Sequence, residues 1–205
     1  MKMKKCKTVL IAIILIALVN SNSYSQQQEH GFSSGLCVKK YDIIIDGYYG
    51  YPYLMGILVK KVLADSFGIT KALNINHIGA RFEYMVWSQI GLGLEYTYAL
   101  LSIDYQGKNG KYYTAGVSKQ RFLGKFNYHF ATSEKLDPYL TAGIGYSNTN
   151  VFSNEPGVKS TSVTTIPIAL RVGIGLRYFF TETIGINAEV GLGGPLMQAG
   201  MSFKF

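Results

Sequence analysis

Long stretches of this sequence alternate between apolar and polar residues with a period of two. The clearest stretch covers 163–180, where every second position keeps phase over fifteen residues: Ile166, Ile168, Leu170, Val172, Ile174, Leu176, Tyr178 and Phe180. Glycines and two arginines, Arg171 and Arg177, fill positions between them. A period of two is that of a β-strand with one apolar and one polar face. We therefore expect a fold made of long, two-faced strands.

The same alternation recurs in eight segments, each about nine residues or longer. They cover about 41–53, 75–86, 90–105, 112–130, 138–152, 163–180, 184–192 and 196–205. Strands of soluble domains average about 5–6 residues, whereas a tilted strand that crosses a bilayer needs about 9–11. The last segment runs to Phe205, and an open apolar edge there would favour aggregation. A closed barrel in lipid removes that edge. The sequence predicts an all-β fold, an eight-stranded antiparallel transmembrane β-barrel with up-and-down connections, whose last strand pairs with its first.

The connections between these segments also alternate in length. Short connections at 87–89, 131–137 and 181–183 are interleaved with a second set that contains the longest loops, 54–74 and 153–162. Short turns on one side and longer loops on the other are typical of outer-membrane barrels. Within the first long loop, Leu54, Ile57, Leu58, Lys61, Val62 and Asp65 have roughly helical spacing. A short helix and an irregular loop both remain open there.

Residues 1–25 have the parts of a secretory signal peptide. Four lysines precede an apolar run at 8–19, and small polar residues precede Gln26. The apolar run of about twelve residues is too short to cross about 30 Å of hydrocarbon, which disfavours an uncleaved anchor. We predict a cleaved Sec-type signal peptide at 1–25, a periplasmic leader at 26–37 and the barrel at 38–205, located in the cell outer membrane. A soluble β-sandwich or lipocalin-like periplasmic protein is the alternative.

The polar faces of the predicted strands carry charged residues of both signs. The predicted lumen charges are Asp46, Arg81, Glu83, Glu95, Arg121, Lys125, Arg171, Arg177 and Glu189, with Asp42 and Lys204 on the same faces. The interior of an eight-stranded barrel is just wide enough for side chains to fill, and buried charges must be paired. The sequence predicts salt bridges and hydrogen bonds that plug the lumen. An ion pathway or a ligand site is the alternative interpretation.

Motifs for catalysis, metals and nucleic acid are weak in this sequence. His77 and His129 are expected on inward faces, and neither stands in a His-x-Ser arrangement, although a triad built from separate strands is an alternative. No cluster has metal-ligand spacing, and no cofactor is predicted. The formal charge of +8 includes four signal-peptide lysines, so nucleic-acid binding is not indicated. We predict that the protein is not an enzyme.

Three short stretches carry a resemblance to a known family. They are Tyr-Tyr-Gly-Tyr-Pro at 48–52, Gly-Ala-Arg-Phe-Glu-Tyr at 79–84 and Ile-Gly-Leu-Gly-Leu at 90–94. With the signal peptide and the terminal aromatic, they resemble small outer-membrane β-barrel proteins of Gram-negative bacteria, including the Bacteroidetes type and the barrel of outer-membrane protein A. The resemblance implies contact with outer-membrane lipid and lipopolysaccharide. It also implies transient recognition by the barrel assembly machinery, with Met201, Phe203 and Phe205 as the assembly signal.

The expected role is that of a monomeric, porin-like membrane protein. We predict a non-enzymatic, structural or surface-interaction function with a polar, side-chain-plugged lumen. The alternatives are a narrow channel or transporter for small or hydrophobic ligands, and a lipid-modifying outer-membrane enzyme.

Overall fold

A computed structural model describes most of the region predicted to form the barrel. The described residues are 37–53, 69–107, 110–130, 133–157, 161–162 and 167–205. The predicted signal peptide, the leader up to residue 36, the helical spacing at 54–65 and the first residues of the sixth predicted strand lie outside these residues. No helix in the described part of the chain is long and apolar enough to span a membrane.

Eight long strands and one very short strand make up the described structure. Their bounds are β1 Ile43–Tyr51, β2 Ile69–Trp87, β3 Ile90–Gln106, β4 Tyr112–His129, β5 Leu136–Ser153, β6 Thr161–Ser162, β7 Ile168–Phe179, β8 Ile184–Leu192 and β9 Met197–Lys204. The two residues of β6 pair with Asn150 and Val151 of β5, beyond the point where β7 begins its own pairing with β5. The strands β6 and β7 therefore share the sixth position of the sheet.

The sheet closes on itself, which confirms the predicted eight-stranded antiparallel barrel. Its strand order is β4-β3-β2-β1-β9-β8-β7-β5, and β4 also pairs with β5. The first and last strands meet antiparallel, with Ile44 opposite Lys204 and Tyr51 opposite Met197. Because every long strand has a neighbour on both sides, the backbone hydrogen bonds of the wall are satisfied within the protein, as a bilayer requires.

Several strand bounds differ from those predicted. The strand β2 begins at Ile69 rather than at about residue 75, because a register shift between Ile75 and Ile78 interrupts its alternation without ending its pairing with β3. At this irregularity the consecutive residues Asn76 and His77 are both buried. The strand β1 begins at Ile43, after Tyr41, whose φ of 77° lies outside the β region.

Most apolar side chains of the strands point outward, and most polar side chains point inward. Leu94 and Ile144 are 64% and 65% exposed on the outer wall, whereas Arg171 and Arg177 inside are 1% exposed or less. This is the inverse of a soluble domain, and it suits a wall that faces lipid. The core of the barrel is therefore its polar lumen.

The two ends of the barrel differ. At the end of the barrel that carries the longer connections, which we call the long-connection end, β2 to β5 continue beyond the shorter strands. His77 of β2 pairs with Gly50 of β1, and β2 has eight more residues, 69–76, beyond this pair. At about 3.3 Å per residue this is roughly 25 Å along the strand. At the short-turn end, Cys37 and Val38 pack with the inward residues Ile44, Met85 and Phe179. These five residues, which we call the apolar layer, cross that end of the lumen.

Candidate functional site: the charged lumen

All nine predicted lumen charges lie inside the barrel and are nearly inaccessible to solvent. Each is at most 4% exposed. Within the described part of the chain, ion pairs join eight of them, whereas the ninth, Arg121, has none. Two further residues, His129 and Asp137, complete the connected set. The lumen charge network, as we call it, consists of Asp46, Arg81, Glu83, Glu95, Lys125, His129, Asp137, Arg171, Arg177 and Glu189.

Arg177 is the centre of the half of the network near the short-turn end. Its Nη2 lies 2.9 Å from Oδ2 of Asp46 and 2.6 Å from Oε2 of Glu83. Its Nη1 lies 3.3 Å from Oδ2 of Asp137, and its guanidinium stacks 4.5 Å from the centroid of the Tyr139 ring. A planar fork with five donors is suited to hold several carboxylates at once.

His129 is held between two carboxylates of the same half. Its Nε2 lies 2.8 Å from Oε1 of Glu83, and its Nδ1 lies 2.8 Å from Oδ1 of Asp137. Ionised carboxylates only accept hydrogen bonds, so both ring nitrogens donate and the ring carries a positive charge. The imidazolium therefore acts as a fifth cation of the network.

Glu189 is the centre of the other half. It accepts hydrogen bonds from Arg81 and Arg171, the latter at 2.7 Å, and lies 3.6 Å from Nζ of Lys125. Lys125 also lies 2.9 Å from Glu95, which in turn accepts from the Tyr48 hydroxyl at 2.7 Å. Arg81 joins the two halves because its Nε lies 3.2 Å from Oδ2 of Asp46.

The network is balanced in charge. Five carboxylates face four Arg and Lys side chains and the His129 imidazolium. Burial of an uncompensated charge would be costly, whereas a closed set of pairs with good geometry is tolerated. The arrangement is thus a continuous polar core that crosses the lumen.

Arg121 lies outside this balance. Its Nη2 donates to the Leu170 carbonyl at 3.1 Å. Among the described residues, no carboxylate lies within 4.0 Å of Arg121, although its side chain is 97% buried. The sequence placed it correctly on an inward face, but the ion-pair network does not include it.

Two other inward candidates also lie apart from the network. The carboxylate of Asp42 accepts a hydrogen bond from the Lys39 backbone N–H at 2.9 Å, and burial raises the pKa of Asp42 above its usual value. Lys204 donates to the Cys37 carbonyl and lies over the Phe179 ring. Both residues belong to the closure of the short-turn end. There, burial, reinforced by the negative charge of Asp137, raises the pKa of the Cys37 thiol to about 12.

Sequence reasoning placed Asp137 in a turn and missed its role. The residue lies on the inward face of β5, where it pairs in register with Arg177. The signal was present, because the inward phase of Tyr139 and Thr141 continues back to position 137. The hydroxyls of Tyr48 and Tyr139, which donate to Glu95 and Glu189, were also missed, since the predicted lumen residues were charged residues alone.

The three predicted assembly residues lie on β9 or directly after it. Met201 and Phe203 are exposed on the outer face of β9, and Phe205 follows this strand and is 53% exposed. In register, Phe203 lies opposite Ile45 of β1 and Ile184 of β8. Their role in assembly stays a prediction.

Comparison with protein families identifies the class of this barrel. Residues 11–194 match the family described as outer membrane protein beta-barrel domain. The chain belongs to this family. The match spans most of the sequence and agrees with the closed eight-stranded wall and its apolar outer face. The protein is therefore located in the outer membrane. The match confirms the resemblance to small outer-membrane β-barrel proteins, but it does not assign the chain to the Bacteroidetes type.

The solved structures to which this chain is similar are distant from it in sequence. The N-terminal β-barrel domain of OprF from Pseudomonas aeruginosa is 18% identical, with 82% of this chain and 99% of that chain covered and a TM-score of 0.47. The attachment invasion locus protein Ail of Yersinia pestis is 12% identical, with 81% and 99% covered and a TM-score of 0.45. OprG from Pseudomonas aeruginosa is 14% identical, with 82% and 97% covered and a TM-score of 0.41. No curated protein matches the chain.

Proposed function

We propose that this barrel has a non-enzymatic, structural or surface-interaction role, with a lumen plugged by its own side chains. The observation that carries this proposal is the lumen charge network. Arg177 extends from β7 to carboxylates on β1, β2 and β5, so side chains from different walls meet inside the barrel. The interior of an eight-stranded barrel is narrow enough for such side chains to fill most of it.

The apolar layer supports the same proposal from the short-turn end. The backbone N–H of Cys37 donates to the Ser133 carbonyl at 2.9 Å, which ties this segment to the turn between β4 and β5. Ile44 and Met85 within the layer are fully buried. An ion that passed the network would meet a desolvating barrier there.

The extended ends of β2 to β5 favour a surface-interaction role. These strands have 17 to 19 residues, whereas β1, β8 and β9 have eight or nine. A bilayer requires only about 9–11 residues per strand. The additional residues form a wall that projects past the lipid on the side of the longer connections, where a surface partner could contact it. The closed sheet leaves no edge that requires a second copy, which is consistent with a monomer.

The environment of the histidines supports a role without catalysis. His129 is held by Glu83 and Asp137 inside the network. Among the described residues, no serine, threonine or cysteine side chain hydrogen-bonds to His77 or His129. A nucleophile activated by a neighbouring base requires such a contact.

Planar-bilayer conductance of the refolded protein tests the plugged lumen. We expect no steady openings for the wild type. We expect openings when Arg81→Ala/Arg177→Ala is combined with Ile44→Ala/Met85→Ala, which thins the apolar layer, in molecules that retain a heat-modifiable gel shift. The substitution Lys135→Ala at an exposed turn is the matched control and is expected to stay closed. Large, stable openings of the wild type would favour a channel instead. Comparison of lipid A by mass spectrometry with and without the gene tests the enzymatic alternative, and we expect identical profiles.

A further inference from the structure

The positive charge of the lumen is concentrated near the long-connection end. The lumen charge network is balanced, so the buried cation of Arg121 is in excess. Lys119 lies two positions before Arg121 on β4 and is half-buried. It has no carboxylate within 4.0 Å among the described residues. Glu95 and Glu189, the acids nearest along the lumen, already hold Lys125, Arg81 and Arg171. Nothing described neutralises Arg121.

The turn between β8 and β9 brings a second guanidinium beside Arg121. A Cβ placed on Gly194 would lie 2.4 Å from Nη1 of Arg171 and 2.5 Å from Nη1 of Arg121. The two nitrogens are therefore within about 5 Å of each other across this glycine. Arg171 Nη1 also donates to the Pro195 carbonyl at 3.2 Å. Glycine at position 194 leaves the approach to both arginines free of a side chain.

Several buried polar atoms in this region have no hydrogen-bond partner. They are Nη1 of Arg121, Nδ1 of His77, Oη of Tyr53 and both amide atoms of Gln198. Arg121, His77 and Gln198 are each at least 95% buried. Unsatisfied buried polar groups are rare in proteins and call for a ligand, a water or an ion.

These residues converge on one region of the lumen. His77 and Gln198 flank Gly50 in register, one on each neighbouring strand. A Cβ on Gly50 would lie 2.6 Å from Cγ of Pro195, so the β8–β9 turn covers the same point. Three cations, Arg121, Lys119 and Arg171, and one carboxylate, Glu95, lie within electrostatic range of the His77 ring. The Tyr53 ring meets this imidazole edge-on with 5.4 Å between centroids.

We propose that Arg121, together with His77 and Gln198, forms a binding site for a small tetrahedral oxyanion such as phosphate or sulfate. Arg121 and Gln198 supply N–H donors, and His77 supplies a ring nitrogen. Guanidinium groups bind phosphate-type oxyanions through short, charge-assisted hydrogen bonds. A metal cation would be repelled by Arg121, Lys119 and Arg171.

The test is ³¹P NMR of inorganic phosphate added to the refolded protein in micelles of an uncharged detergent. Ionic strength is held constant with chloride. For the wild type we expect saturable line broadening of the phosphate signal. Arg121→Gln should weaken the affinity about tenfold or more, since it removes a charge-assisted contact. Arg121→Lys keeps the positive charge but replaces the planar guanidinium by an ammonium group, and it should give an intermediate affinity. The exposed turn variant Lys135→Gln should bind as the wild type does.

Two further measurements separate the possible outcomes. A heat-modifiable gel shift selects folded protein of each variant, and the wild-type titration alone decides whether an anion binds. A second series in nanodiscs compares lipids with and without exposed phosphate groups, and free phosphate should bind equally well in both. Absence of saturable broadening, unchanged affinity in Arg121→Gln, or binding of lipid phosphate alone would each overturn the proposal.

Discussion

Arg177 on β7 donates a hydrogen bond to Asp46 on β1 across the lumen, with 2.9 Å between Nη2 and Oδ2. The two residues are 131 positions apart in sequence, and β8 and β9 separate their strands in the sheet. This contact therefore connects two strands of the wall that are not neighbours in the sheet. It requires the barrel to be closed, because only closure brings the two inward faces together. The polar lumen thus stabilises the closed form in particular.

Removal of the Arg177 guanidinium should destabilise the barrel strongly. Arg177→Met keeps much of the side-chain volume but leaves Asp46, Glu83 and Asp137 without their shared cation. Loss of one partner from a buried ion pair costs about 3–5 kcal/mol. Urea unfolding of the protein refolded in vesicles measures this change.

Arg121→Met is the matched control for Arg177→Met. It also removes a buried arginine, but no described carboxylate loses a partner, so the free energy of unfolding should stay within about 1 kcal/mol of the wild type. Equal destabilisation by both substitutions would mean that volume, and not charge pairing, determines the contribution of the lumen arginines.

Gly175 should tolerate no side chain, because the Tyr139 ring lies against its backbone. A Cβ at position 175 would lie 2.2 Å from Cζ of Tyr139, whose hydroxyl donates to Glu189 at 3.2 Å. Gly175→Ala should therefore displace the ring and lower the free energy of unfolding by about 1–3 kcal/mol. Gly47→Ala, on the outer face with no atom of a described residue within 4 Å of the added carbon, should leave the free energy of unfolding unchanged or slightly raised. The idea fails if the two variants unfold at the same urea concentration.

The sequence predicted which face each charged residue occupies but not which partners it finds. Period-two alternation placed Arg81, Arg177 and Glu189 inside, because one phase of each strand is apolar and must meet lipid. Partners across the lumen depend on the relative heights of strands that are not neighbours. Those heights follow from the stagger of the closed barrel, which a single strand does not encode. For this reason the exclusion of Arg121 from the ion pairs could not be foreseen.

Irregular backbone explains the errors in the strand bounds. At Asn76 and His77 the β2 alternation shifts phase, so the strand was predicted to start only at about residue 75, although its pairing with β3 begins at Ile69. Asp137 was assigned to the connection 131–137, since the fifth strand was predicted to begin at about Pro138. In the barrel, the Pro138 carbonyl accepts a hydrogen bond from the Phe130 N–H, and Asp137 faces the lumen beside Arg177.

A cation on the outer wall should be costly only within the lipid band. Leu94 is the fifth residue of β3 and points outward, opposite Phe82 and Gly124; Phe82 in turn pairs with Ile45 of the short strand β1, so Leu94 lies at the height of the short strands. Leu94→Arg should lower the free energy of unfolding in vesicles by about 2–4 kcal/mol. Tyr112→Arg, at the exposed start of β4 on the projecting wall, should change it little. A large cost at position 112 would place that residue within the bilayer, contrary to our description of the wall.

The Cys37 thiol should be almost unreactive in the folded barrel. Its pKa of about 12 keeps it protonated at pH 8.5, and only the thiolate is alkylated. With Cys6 replaced by serine, iodoacetamide should label Cys37 about a thousandfold more slowly in the folded than in the urea-unfolded protein. Lys39→Cys in a Cys37→Ser background provides an exposed thiol two residues away and should react readily in both states. Fast labelling of folded Cys37 would show that the short-turn end is open.

Phe203 should matter more for assembly in cells than for the stability of the finished barrel. It is an outward aromatic on β9, the strand that closes the barrel against β1, whereas Phe126 is an outward aromatic on the interior strand β4. Both Phe203→Asp and Phe126→Asp place a carboxylate on the lipid face, so spontaneous refolding into vesicles should be impaired to a similar degree. In cells, if residues 201–205 carry the assembly signal, the amount of Phe203→Asp in the outer membrane should fall several-fold below that of Phe126→Asp. Membrane fractionation with a heat-modifiable gel shift measures this amount. Equal yields of the two variants in cells would assign Phe203 to the lipid-facing wall alone and remove the basis for an assembly signal at this strand.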